Sequence, residues 1–265
     1  MSNTKSRSTL ASFLGDPVFP EVAIQSSRGA KILLYQDLYT QYSRRAFTHI
    51  EDRPIAIAGL EKRLIHSFNT WGGFGVFDDG RLGLLRRCLL WCRGADETSL
   101  ERIQFDGTHG IRQMAVPTWS WMGYKGGIDY LDLPFNGVEW DEKALRSPWT
   151  LGVGMWHTDS QPGFVELSAL VRDFDVQAAA GLGFKIIYDV PAKRDGPRPG
   201  LKCVILGRLQ SPNLAVADRT HYVLWVALSA TQASGLEQIY ERVGVGYMPG
   251  SAIRLDQPGE AVKIR

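Results

Sequence analysis

The stretch Pro117-Thr118-Trp119-Ser120-Trp121 divides the chain into two parts of different character. Before it, apolar residues recur every three or four positions, the spacing of a helix face. After it, apolar runs are short, β-branched or alternating, and separated by Gly, Pro and Asp. The change predicts an α+β fold in which a helical amino-terminal third packs on a predominantly antiparallel β barrel or sandwich. Trp119 and Trp121 stand two apart, so a regular strand over 118–122 puts both indoles on one face, where they either fill the core or line a ligand cavity.

Working back from that stretch, residues 31–95 read as the helical part and residues 1–30, polar and without periodicity, as a flexible arm. Tyr35, Leu38, Tyr39 and Tyr42 share one helical face, and Arg44-Arg45 closes the segment where a helix end favours cations. Asp52 ahead of Pro54 predicts a carboxylate cap with proline in the first turn of a second helix. Its buried stripe is Ile57, Leu60, Leu64 and Phe68, with Glu61, Lys62 and Arg63 facing water. Trp71-Gly72-Gly73-Phe74-Gly75 breaks that helix, and Asp78-Asp79-Gly80 precedes a third, striped by Leu82, Leu85, Leu89 and Cys92 and widened by Leu90 and Trp91. Residues 98–111 form a polar connector in which Thr98 and Glu101 have capping-box spacing.

Working forward, candidate strands are 118–122, 128–133, 164–174, 184–189, 202–209, 221–229, 239–247 and 261–264. Several short strands at this spacing argue a sandwich or barrel, with 191–200 as an exposed hairpin loop. Residues 31–265 thus form a single domain whose β-rich part is 117–265.

Across its 265 residues the chain carries 30 basic and 28 acidic side chains, so a net charge of +2 gives no electrostatic reason for a nucleic-acid or membrane-surface partner. No apolar run approaches the roughly 20 residues of a membrane span, and Met1–Gly15 lacks a signal-peptide apolar core, so the expected location is cytoplasmic. Cys88, Cys92 and Cys203 suit neither a disulfide framework nor a zinc site and read as buried small hydrophobes. There is no Gly-rich phosphate loop, GxGxxG after a strand, HExxH or GxSxG, and His49, His66, His109, His157 and His221 show no metal-ligand spacing. Neither a cofactor nor a metal is expected. What remains is proton transfer or pocket templating. His157, beside the aromatic-rich run from Trp140 to Trp156, and Tyr222, in a strand with Val223 and Trp225, are the candidate catalytic groups, each with a plain structural alternative. Asp129 alternates with its apolar neighbours and reads as an outward strand residue.

Taken in order, Tyr42-Ser43-Arg44-Arg45, Thr48 with Asp52, Ala56 to Gly59, Leu89-Leu90-Trp91 and Pro117 to Trp121 resemble the fungal heterokaryon-incompatibility (HET) domain family. Thr118 stands where that family usually has serine, and Met122-Gly123 where it usually has Ala-Ser. Tyr240-Glu241-Arg242-Val243-Gly244 is similar to the family's late Tyr-x-Arg-Ile-Gly strand. The resemblance covers roughly residues 31–265. The leading half of the family, with its Leu-Ser-Tyr-x-Trp-Gly-like motif, has no counterpart here. If the cell-death signalling of the family resides there, the resemblance implies a protein without it. The retained motifs imply structural roles: an ion pair from Arg44 or Arg45 to Asp52, and Trp91, Trp119 and Trp121 sealing helices against sheet.

Two functions are compatible with these observations. One is a cofactor-independent cyclase or isomerase of fungal specialised metabolism, for example a pericyclase of Diels–Alder type. It would hold a small apolar metabolite in an aromatic-lined pocket of Trp119, Trp121, Tyr124, Trp140, Trp156 and Trp225. The other is a non-enzymatic interaction or regulatory module related to heterokaryon incompatibility.

Overall fold

The structure, a computed structural model, describes residues 27–105, 116–149, 165–175, 177, 183–191, 200–229 and 238–265. Helix α1 spans Arg28–Ser43 and starts inside the expected arm, because the Ser27 hydroxyl accepts from the Ala30 N–H and caps it. It buries Ile32, Tyr35, Leu38 and Tyr39. Residues 1–26 of the expected arm lie outside the described residues. Helix α2 spans Arg53–Phe68 with Pro54 in its first turn, but the Asp52 side chain makes no capping bond. Its buried face is Arg53, Ile57, Glu61, Leu64 and Phe68, so Glu61 points inward rather than to water: it lies one turn beyond Ile57 and is 2% exposed.

Asn69, left-handed at φ 52°, ends α2 and leads into a tight hairpin of β1, Trp71–Gly73, and β2, Val76–Asp78. The glycines that break the helix therefore also turn a strand. The expected third helix is cut short. Helix α3 covers only Leu84–Cys88, and Trp91–Arg93 is a strand, β3, paired antiparallel with β6, Ile128–Tyr130. Leu82, expected on the buried stripe, is 59% exposed, since it precedes α3 in a separate short turn. Tertiary pairing overrides the helical period at Leu89–Cys92 because the β3–β6 ladder takes up that backbone.

Two further corrections concern the neighbourhood of the tryptophan motif. The connector contains a strand, β4 (Glu101–Arg102), paired with β5 (Tyr124–Lys125), in place of a helical turn. Residues 118–122 are not a strand: a turn at Thr118-Trp119 runs into a short 3-10 turn at Trp121–Gly123, capped by the Ser120 hydroxyl.

The β-rich body comprises β7 (Val138–Trp140), β8 (Leu145–Arg146), β9 (Leu167–Arg172), β10 (Lys185–Tyr188), β11 (Lys202–Leu209), β12 (Thr220–Leu228), β13 (Ile239–Pro249) and β14 (Glu260–Ile264). Strands β9, β11, β12, β13 and β14 pair in a ring that closes where β11 meets β9 at Cys203–Arg172, while β7, β8 and β10 extend it. Among the described pairs only β13–β14 is parallel. Alternation along β12 feeds two cores: Tyr222, Leu224 and Val226 join the cluster that receives the helices, while Val223, Trp225 and Ala227 pack with Phe174 and Phe184. No helix among the described residues is long and apolar enough to cross a membrane.

Candidate functional site

Among the described residues, the nominated aromatics divide between two cores. Trp119 and Trp121 are 0% exposed in the larger core, where Trp121 lies 5.0 Å from Tyr39 and Trp119 lies 6.0 Å edge-on to Phe74. Tyr124 is buried beside Trp91 at 5.5 Å and its hydroxyl donates to Thr118 O at 3.2 Å. Trp225 is fully buried but belongs to the other core, on the opposite face of β12 from Tyr222. Trp140 is half-buried, with the Arg87 guanidinium 5.4 Å from its ring. Tyr222 is buried, and burial raises its hydroxyl above the ordinary tyrosine value. Trp156 and His157 lie outside the described residues. Trp119, Trp121 and Trp225 therefore act as core, because a side chain with no exposure lines no opening.

Thr118, Ser120 and Trp91 of the family-like motifs act as internal latches. Thr118 accepts from Arg242 N at 3.0 Å and donates to Arg265 O, joining the motif to β13 and the chain end. Ser120 donates to Phe74 O at 2.7 Å, holding the β1–β2 turn. Trp91 Nε1 donates to Trp119 O at 2.9 Å. The Nε1 atoms of Trp119 and Trp121, in contrast, are buried with no hydrogen-bond partner among the described residues.

Arginines supply the longest-range latches. Arg44, with Arg45 one of two candidates to pair with Asp52, instead forks onto Asp96 at 2.9 and 2.7 Å and reaches Asp129 at 3.0 Å and Ile128 O at 2.6 Å. Asp129, expected to point outward from its strand, is 36% exposed and accepts from Arg44 and Ala95 N there. Arg53 is wholly buried and donates to Ser43 O, Tyr124 O and Gly126 O while stacking 5.3 Å from the Trp121 ring. Desolvation lowers its pKa to about 10. Arg242 makes two bonds to Asp189 and donates to Leu89 O and Trp91 O. Glu61 accepts from Gly75 N at 2.5 Å, and burial pushes its carboxyl up to about 7 against that bond. Sequence reasoning missed Arg53, Glu61 and Asp189; for Glu61 the spacing of four from Ile57 was the available signal.

Among the described residues, openings lie at two places not lined by the nominated aromatics. One, of about 280 Å3, sits at the start of α1 and end of α2, with Ile32, Phe68 and Leu84 as floor and Arg28 and Lys31 at its rim. The other, of about 570 Å3, lies over β8, β9 and β14. All three thiols are free and buried; burial raises Cys88 and Cys203 to about 12 and Cys92 to about 11, which leaves them protonated and inert at neutral pH. Among the described residues no cluster of three or more His, Cys, Asp or Glu is placed to hold a metal. His221 is buried with Nδ1 2.9 Å from Arg219 O, and desolvation lowers its pKa, a structural environment.

Comparison of the chain with protein-family models, curated proteins and solved structures finds no significant match.

Proposed function

We propose that this chain is a non-enzymatic interaction or regulatory module related to the heterokaryon-incompatibility proteins, a rigid scaffold that works by presenting surface. One observation carries this reading: the polar groups of Trp91, Thr118, Ser120 and Arg242, all in family-like motifs, end on backbone acceptors inside the fold, and Arg44 joins them through Ile128 O. Side chains used in this way hold elements together and have no free group to offer a substrate. The smaller groove then offers the contact surface, with exposed Leu82 beside Arg28 and Lys31.

A cofactor-independent cyclase or isomerase acting on a small apolar metabolite is the second reading, and the indole N–H groups of Trp119 and Trp121, which have no partner among the described residues, favour it, since a ligand carbonyl would satisfy them. It requires a chamber that reaches those atoms. Purified protein incubated with the apolar metabolites of a strain lacking the gene separates the two. No new product, together with a heteromeric crosslink formed from a photoreactive residue at position 82 and lost in Lys31→Glu, supports the module; catalytic conversion of a metabolite overturns it.

A further inference from the structure

We infer that the outer face of β8, β9 and β14 is a binding site for a small organic phosphate. The strand registers make the argument. Arg146 of β8 pairs with Ser168 of β9, and Ser168 pairs with Lys263 of β14, so the three side chains form one cross-strand row on one face. The burial pattern places that face outward: Leu145, Leu167, Ala169, Val262 and Ile264 are buried while Arg146, Ser168 and Lys263 are not. The row borders the opening of about 570 Å3, within the size of small-molecule sites.

Two like charges flanking one hydroxyl repel each other, and strands roughly 5 Å apart hold their backbones roughly 10 Å from one another, a span that one phosphoryl group between two long side chains bridges. Lys143 adds a third cation to the rim, and the turn that carries it is fixed by Asp141, whose carboxylate accepts from the N–H groups of Lys143 and Ala144, each at 2.9 Å. Among the described residues, none of Lys143, Arg146 and Lys263 has a carboxylate within ion-pair distance. Glu260, the acid of this opening, is engaged by Lys202 at 3.4 Å. Elsewhere Arg28, Arg44, Lys125, Lys202, Arg208 and Arg242 all have carboxylate partners. Lys263 Nζ donates to Ser168 Oγ at 3.1 Å, which orients the hydroxyl's own proton for an incoming anion. Arg146 supplies the planar fork that suits phosphate oxygens.

Two residues along the same face, Leu170 pairs with Ala261 and gives an apolar floor beside the cationic row. The site therefore suits a phosphate ester whose organic part covers that floor more than it suits the bare ion. The inference does not depend on the module reading.

Calorimetric titration at low ionic strength with ADP, glucose 6-phosphate, inorganic phosphate and adenosine tests this. Saturable binding of either ester is expected, at least tenfold tighter than inorganic phosphate and than adenosine, with the preferred ester identifying a nucleoside or sugar source. Arg146→Glu should weaken it at least tenfold and Lys263→Gln about fivefold, with Lys143→Gln as a further exposed variant expected to weaken it, and Lys125→Gln, a cation on β5, should leave it unchanged. Failure of both esters to bind, inorganic phosphate or adenosine binding as tightly as the esters, or affinity unchanged in Arg146→Glu and Lys263→Gln overturns it.

Discussion

Arg242 Nε donates to Asp189 Oδ2 at 2.9 Å, and both residues are almost completely buried, at 2% and 1% exposure respectively. The guanidinium lies 3.2 Å from the centroid of the Trp91 ring and also bonds Leu89 O and Trp91 O, so one residue of β13 ties the barrel to β3 and the end of α3.

Arg242→Met leaves the Asp189 carboxylate buried without its cation, and a loss of about 3–5 kcal/mol is expected in urea unfolding. Removing both charges in Arg242→Met/Asp189→Leu should restore more than half of that. A double variant no more stable than the single one would show that the carbonyl contacts of Arg242, and not the ion pair, dominate.

Glu61 gives a pH dependence of stability whose sign follows from its environment. Its folded pKa is raised to about 7 from an ordinary 4.5, so between those values the folded state holds a proton that the unfolded state has released. Stability therefore falls as pH rises from about 4.5 to about 7 and levels off above. The total is on the order of 3 kcal/mol, at 1.36 kcal/mol per tenfold change in acidity. Glu61→Gln should flatten this part of the profile, read by thermal melts in a pH series.

The β1–β2 turn depends on Gly75. Its φ is +77°, and a Cβ there would lie 2.1 Å from Trp121 Nε1, on an indole fixed in the core. Gly75→Ala is therefore expected to cost more than about 2 kcal/mol, from conformational strain and overpacking together. Gly137→Ala is the control, since its φ is also positive at +93° but nothing lies within 4 Å.

Trp119 and Trp225 belong to separate cores, so Trp119→Phe and Trp225→Phe should each destabilise and their effects should add within about 0.5 kcal/mol in the double variant. Marked non-additivity in equilibrium unfolding would mean that the two clusters are coupled through the sheet.

Because Cys88, Cys92 and Cys203 are buried with raised pKa values, the native protein should react with a thiol reagent such as DTNB only as fast as it opens, and all three should react at once in denaturant. Rapid labelling of one thiol in native buffer would show local opening at that site.

The periodicity of three and four that marks Tyr35, Leu38 and Tyr39, and Ile57, Leu64 and Phe68, corresponds to α1 and α2, because a helix buries one stripe whatever it packs against. Period two and turn residues locate β9 to β14 to within a few positions for the same reason: local backbone geometry dictates the repeat. The β-rich body and the helical leading part are thus legible in the residue pattern alone. Trp91–Arg93 is not, because a three-residue strand exists only by pairing with Ile128–Tyr130. Nor is the inward turn of Glu61, or the partner of Arg44, since both depend on what lies across the fold.

Trp119 and Trp121 show the division most clearly. Their spacing and the residues around them suggest a boundary between helical and β-rich parts, yet short strands already stand at Trp71–Gly73, Val76–Asp78, Trp91–Arg93 and Glu101–Arg102, which depend on pairing and leave no period to read. Whether the indoles line a cavity or fill the core is open in the sequence, because residue type is the same in both cases. Only the tertiary structure decides it: the Ser120 and Thr118 latches turn the segment out of strand geometry, and the helices and sheet close over both rings. The row of Arg146, Ser168 and Lys263 has the same origin, for residues 22 and 95 positions apart become neighbours only through the register of three strands.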